Sequence, residues 1–322
     1  MGPGRSPSGS RTESSGSSLC AQGTKFLAWI VFSLLVFHYT YVPYIQYAVG
    51  GLDQHGRILR TAELYDLKSG RWTPLPPMAT PRSGCGAAIL DGLLYVVGGY
   101  SIGGMKYNTV ECFSPASNSW KSLPPMQNIR GVCGVAALGG LLYVVGGMDC
   151  LSPDNPMECF DPAANTWAPL PPVPRDVCDR CGVGVLGGLL YVVGGIAWDE
   201  HPVNTVDCFN PVTNSWVSLP PMAVCRGEPS VVALHGKLSV IGGVDKHGCL
   251  KNSTPMECFD PISHTWAAYE CIPCWRVGCC VKVLQGMLYV AGGVDGTGRL
   301  GNTFCCYGSM ACSRQDFAMA AV

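Results

Sequence analysis

The run Leu93-Leu94-Tyr95-Val96-Val97-Gly98-Gly99 decides how this chain is read, because it returns unchanged at 141–147 and at 189–195. Variants stand in the same frame at Gln46-Tyr47-Ala48-Val49-Gly50-Gly51, at Lys237-Leu238-Ser239-Val240-Ile241-Gly242-Gly243 and at Met287-Leu288-Tyr289-Val290-Ala291-Gly292-Gly293. The doublets open at 50, 98, 146, 194, 242 and 292, in steps of 48, 48, 48, 48 and 50. A fixed period of this length is the signature of a repeat architecture. About 22 residues beyond each of the first five doublets stands a tryptophan: Trp72, Trp120, Trp167, Trp216 and Trp266. Between the two lies a strand and turn of the type Glu111-Cys112-Phe113-Ser114-Pro115, and after the tryptophan comes Leu-Pro-Pro-Met or Leu-Pro-Pro-Val, usually followed by an arginine.

Each unit holds four short apolar runs; in the second copy they are 84–90, 93–99, 109–115 and 119–123. Four short strands with both faces apolar cannot bury themselves alone, so the units must stack. Radial closure leaves only short, protected sheet edges. The composition agrees: 41 glycines and 25 prolines supply turns, and only 13% of residues are charged. A net charge of −1 with no basic run excludes a phosphate-tracking nucleic-acid face.

The double glycine, the tyrosine ahead of it and the spaced tryptophan resemble the kelch repeat over roughly residues 44–322. The resemblance implies an all-β, six-bladed kelch β-propeller. Its C-terminal segment aligns with 79–90, placing Arg314 on Arg82 and 318–322 on 86–90. The ring is therefore expected to close with the C-terminal strand pairing into the first blade. The sixth copy has no tryptophan and no Leu-Pro-Pro-Met, so the sixth blade is expected to miss its outer strand.

Residues 1–24 are rich in Gly, Ser and Pro and are expected to be disordered. Lys25 precedes eighteen uncharged residues, 26–43, open to two readings: a signal-anchor or transmembrane helix, or a lead-in that packs on the ring. Its strongly apolar part, Phe26 to Phe37, is short for a membrane span. Nineteen cysteines follow the repeat, with Cys112, Cys159, Cys208 and Cys258 at one position and Cys85, Cys133, Cys181 and Cys279 at another. Equivalent positions in successive sheets are badly placed to pair, so these are read as reduced core residues, with a cytoplasmic location expected and a single-pass membrane protein as the alternative.

No catalytic motif is present, and no cofactor is expected. Some kelch-like propellers are copper oxidases, but His55, His201 and His247 fall in loops of different units around the rim and do not converge. Cys178-Cys181 and Cys271-Cys274 have zinc-like spacing but lie in separate units.

The best partner-binding candidates are the arginines that open each unit: Arg82, Arg130, Arg226, Arg276 and Arg314, with Arg175 and Arg180 flanking that place in the fourth. They are expected around the channel mouth, beside variable loops such as Tyr100–Lys106 and Val244–Asn252. Guanidinium forks suit an acidic or phosphorylated peptide. Trp198 lies outside the repeated tryptophan position and is a further interface candidate. Kelch-like ubiquitin-ligase adaptors use arginines in similar places, which implies a non-enzymatic protein-binding module. Those adaptors also carry BTB and BACK domains, which these residues do not spell out, so the resemblance leaves cullin recruitment open.

Overall fold

A computed structural model describes residues 45–53, 55–147, 157–174, 177–197, 199–245, 256–269, 277–284, 287–294 and 318–321. All of them belong to one unit, Pro43–Val322, and among them there are strands and turns but no helix.

Each repeat folds as an antiparallel meander running from an inner to an outer strand. In the second repeat the order is Gly86–Leu90, Leu93–Val97, Val110–Ser114 and Ser119–Leu123. Asp91 and Gly92 join the first two strands, both at positive φ (51° and 74°). That is the signature of a two-residue hairpin whose twist matches its strands. The third strand is buried at four of its five positions, whereas the outer strand is exposed at Ser119, Lys121 and Ser122. The third, fourth and fifth repeats repeat this plan, starting from Gly134–Leu138, Gly182–Leu186 and Ser230–Leu234.

In the first repeat the inner strand comes from the other end of the chain. Ala318–Ala321 pairs antiparallel with Ile45–Val49, in the register Gln46 to Ala321 and Val49 to Ala318. The described residues thus form five four-stranded blades, where six blades are expected from the repeats. The last repeat contributes a two-stranded sheet, Val277–Leu284 with Met287–Val294. Its expected missing outer strand falls on residues outside those described. Val277–Leu284 packs against Ser230–Leu234 on one side and against Ala318–Ala321 on the other. Ala318–Ala321 in turn packs against Gly86–Leu90, so the inner strands make a closed circuit.

Three recurring devices tie blades to the ones before them, and the second, third and fourth blades have all three. The repeated tryptophan rests on the phenylalanine opposite it, with ring centroids 5.2 Å apart for Trp120 and Phe113 and 5.1 Å for Trp167 and Phe160. Its indole N–H reaches back to a proline carbonyl of the preceding Leu-Pro-Pro: Trp120 to Pro76 at 2.7 Å, Trp167 to Pro124 at 2.9 Å and Trp266 to Pro220 at 2.8 Å. The final residue of that motif is buried beneath it, as Met78, Met126, Val173 and Met222. Finally, the inner-strand thiols of Cys85, Cys133 and Cys181 point at the carbonyls of Val49, Val97 and Val145 in the preceding blade.

The double glycine owes its residue type to the same close approach. Gly98 sits at φ 62°, and a Cβ there would collide with the carbonyl oxygen of Arg130 in the next blade. Gly99 N–H donates to that carbonyl at 2.8 Å.

Cys112, Cys159, Cys208 and Cys258 of one series and Cys85, Cys133 and Cys181 of the other are buried and free. Burial pushes the thiols of Cys85 and Cys181 up to about 12 and that of Cys133 to about 11. These are core residues, as the repeat spacing implies.

Candidate functional site

The arginine after each Leu-Pro-Pro-Met enters the blade and stays there. Arg82 and Arg130 have no solvent exposure and Arg226 has 1%. All five N–H groups of Arg82 have an acceptor. Nη1 donates to the carbonyls of Gly98 (2.7 Å) and Thr109 (2.9 Å), and Nη2 to Thr109 Oγ1 (2.8 Å) and Glu111 Oε1 (3.0 Å). Nε donates to the same Glu111 oxygen at 3.3 Å. Glu111 in turn accepts the backbone N–H groups of Ala79 and Thr80, which carry the chain into the inner strand.

The unit repeats. Arg130 pairs with Glu158 at 2.8 Å and bonds the Gly146 carbonyl, and Glu158 accepts the N–H of Gln127. Arg226 pairs with Glu257 at 3.0 Å and bonds the Gly242 carbonyl. A charge is tolerable at such depth only when paired and fully hydrogen-bonded. This corrects the expectation for Arg82, Arg130 and Arg226: they fasten the double glycine, the third strand and the incoming connection of their own blade, and present nothing to a partner. A glutamate follows each of these arginines by 28 to 31 residues, and the fold brings each pair together.

The fourth blade breaks the pattern. Cys178 stands three residues ahead of Cys181, where Arg82 precedes Cys85 and Arg130 precedes Cys133. The acid of its third strand is Asp207, which accepts a hydrogen bond from Ser218 Oγ at 2.6 Å. Arg180, two residues beyond Cys178, is displaced outward and is 44% exposed. It pairs with Glu228 of the fifth blade at 2.6 Å and lies 3.6 Å from Asp179. Arg175, Arg276, Arg314 and Trp198 lie outside the described residues.

The residues just before the inner strands ring one end of the central channel. Gly84, Val132, Arg180 and Glu228 occupy equivalent places, and all have positive φ, at 57°, 43°, 52° and 53°. Glycine adopts this freely; a β-branched valine and two charged residues do so only under constraint. The constraint is a set of hydrogen bonds between blades: Val132 N–H donates to Gly84 O at 2.7 Å, and Glu228 N–H to Arg180 O at 2.8 Å. The loops that follow the double glycines reach the same end, where Tyr100 exchanges backbone hydrogen bonds with Ser83 and Val244 with Gly227.

Around this mouth the exposed groups are mixed. The ring of Tyr100 covers Gly131, and the Lys106 ammonium sits 5.8 Å from that ring's centroid. Burial pushes the Asp179 carboxyl up to about 6, against the pull of Lys106 and Arg180. Between Tyr100 and Lys106 the chain folds into a tight turn held by Ser101, whose Oγ accepts the N–H groups of Gly103 and Met105. This turn lifts Ile102 and Met105 into solvent at 81% and 71% exposure. The rigid scaffold thus carries an apolar finger beside a charged cluster. Residue-type patterning alone did not reveal either, because loop residues carry no repeat to compare.

Among the described residues no group of three or more His, Cys, Asp or Glu side chains is placed to hold a metal ion. His201 is exposed and turns to Asp199, and His55 is exposed in the first-blade loop. His247, Cys271 and Cys274 lie outside the described residues, as does the apolar segment 26–43. Among the described residues no helix is long and apolar enough to cross a membrane.

Comparison with known proteins places the chain. The family model described as the KLHDC2/KLHL20/DRC7 kelch-repeats domain matches residues 39–225 and 133–313. The chain belongs to the kelch-repeat family. An F-box/kelch-repeat protein of Arabidopsis thaliana is 46% identical over 43 residues, which are 13% of this chain and 10% of that protein. The chain thus matches about a tenth of that relative's length. The solved structure of YjhT superposes with a TM-score of 0.67 at 17% identity, covering 81% of this chain and 93% of that one, a likeness of fold alone.

Proposed function

We propose that this chain is a non-enzymatic protein-interaction module, a six-bladed ring that takes an acidic or phosphorylated segment of a partner at the channel mouth. The observation that carries the reading is Arg180. Of the unit-opening arginines among the described residues, it is the one whose guanidinium reaches solvent. A partner carboxylate or phosphate would exchange for Glu228 on a fork already oriented between blades four and five. Ile102 and Met105 supply the apolar contact that such a segment needs to be held rather than merely attracted. Arg175, Arg276, Arg314 and Trp198 extend the proposed surface. The F-box of the Arabidopsis relative belongs to that protein; for this chain we carry over target recognition in the manner of a ligase substrate receptor, and nothing about recruitment.

A panel of acidic, phosphorylated and neutral peptides tests the reading by fluorescence polarisation. Acidic and phosphorylated members should bind the wild type and lose at least tenfold in affinity to Arg180→Ala. Equal binding by the neutral set, or no loss in the variant, would overturn it.

A further inference from the structure

The channel beyond the mouth is lined by the inner strands, each hydrogen-bonded into its blade along one edge only. The other edge faces the axis. Two adjoining cavities run along it, of about 160 and 250 Å³. Gly86, Gly134 and Gly182 line the first, so backbone rather than side chain forms much of its wall. Cys85, Cys133 and Cys181 join them, and Val135, Val183 and Val231 line both.

Among the described residues one charged side chain lines these cavities, and it lines both of them: Lys282, on the strand Val277–Leu284. No carboxylate or imidazole of the described residues appears in either wall. On its own strand Lys282 is accompanied by Cys280, two residues away and so on the same side. The partner strand sets Tyr289 opposite it. Ser230–Leu234, packed on one flank, carries no titratable side chain, and neither does Ala318–Ala321 on the other. In every other repeat this position is small or apolar: Ala88, Ala136, Gly184, Val232 and, in the closing strand, Ala320.

We propose that the central channel is a binding site for a small monocarboxylate with a short apolar tail, held by Lys282 and by edge N–H groups of the inner strands. The charge of the ligand follows from the wall. One ammonium balances one negative charge, whereas a dianion would bring a second charge for which the described lining residues hold no counter-charge. The valines fit a short alkyl group on the same ligand. Burial lowers the affinity of Lys282 for its proton, against the opposing pull of Cys280, and a bound carboxylate also opposes it, so ligand and proton bind together. This site lies deeper than the proposed peptide surface and is independent of it.

The test is a pH titration of the full chain carrying ¹³Cε-lysine, followed by NMR, with the Lys282 signal assigned by its loss in Lys282→Met and in Lys282→Arg. The Lys282 midpoint should lie below those of the surface lysines. Saturating butyrate should raise it by about one unit, which corresponds to tenfold tighter binding to the ammonium than to the amine. Acetate should do less and phosphate least. A midpoint unmoved by butyrate would overturn the proposal. An equal shift from phosphate would overturn its monocarboxylate chemistry. The wild-type titration stands even where a variant fails to fold.

Discussion

Replacing Arg130 by methionine tests whether the arginines that open each unit are fasteners. Arg130 and Glu158 both have 0% side-chain exposure, and they meet at 2.8 Å. The variant keeps most of the side-chain volume and leaves the carboxylate of Glu158 buried with the N–H donors of Gln127 and Asn128 but no counter-charge. Breaking a buried pair from one side costs about 3–5 kcal/mol, a large part of the stability of an ordinary domain. Exchanging Glu158 for glutamine in the same chain removes the stranded charge while keeping an acceptor for those N–H groups. The double variant Arg130→Met/Glu158→Gln should therefore recover about 1–3 kcal/mol of the loss. Urea unfolding followed by tryptophan fluorescence reads both values, since the repeated tryptophans sit between blades. An Arg130→Met chain within about 0.5 kcal/mol of wild type, the range of an ordinary surface change, would refute the assignment.

Three further outcomes follow from the same geometry. Asp179 holds its proton more tightly in the folded chain, with its value pushed from 3.8 to about 6. The folded state therefore gains stability as pH falls from about 6 to about 4, and above pH 6 the ionised carboxyl is a cost on the order of 2–3 kcal/mol. Asp179→Asn should be more stable than wild type at pH 8 and should flatten that part of the pH–stability curve; an unchanged curve would show that Asp179 does not titrate there. Trp167→Phe keeps a ring against Phe160 but loses the donor to Pro124, so it should cost about 1–2 kcal/mol in the same unfolding assay. Native alkylation with iodoacetamide, mapped by mass spectrometry, should label the exposed Cys225 well before the buried Cys85, Cys133 and Cys181; equal labelling would mean that the inner strands open freely.

The meander, the strand limits and the closure by the C-terminal segment were legible because they rest on repetition. Every copy of Leu-Tyr-Val-Val-Gly-Gly reports the same strand, and Arg314 aligned with Arg82 was enough to place Ala318–Ala321 beside Ile45–Val49. The same regularity misdirected the site. An arginine recurring after Leu-Pro-Pro-Met reads equally well as a ring of recognition groups or as a ring of buried fasteners. The glutamate that decides between them stands a strand and a loop away, so only the fold brings the two together. What does not repeat carries the surface. Arg180 stands two residues beyond the repeat position that holds Arg82 and Arg130, where the sequence has Cys178, and Ile102 and Met105 project because Ser101 ties the turn beneath them. Lys282 stands out in the same way, as a charge in a column of small residues.

Affinity capture from cells with three chains, wild type, Arg180→Ala/Ile102→Ser and Val217→Ser, tests the central claim most directly. Val217 is exposed on the outer strand Ser215–Leu219, away from the mouth, and so serves as the control. With melting temperatures held equal, proteins captured by wild type should persist with Val217→Ser and fall at least tenfold with the mouth variant. An identical catch from all three, or one lost only with Val217→Ser, would contradict the account and move the interaction surface to the rim of the blades.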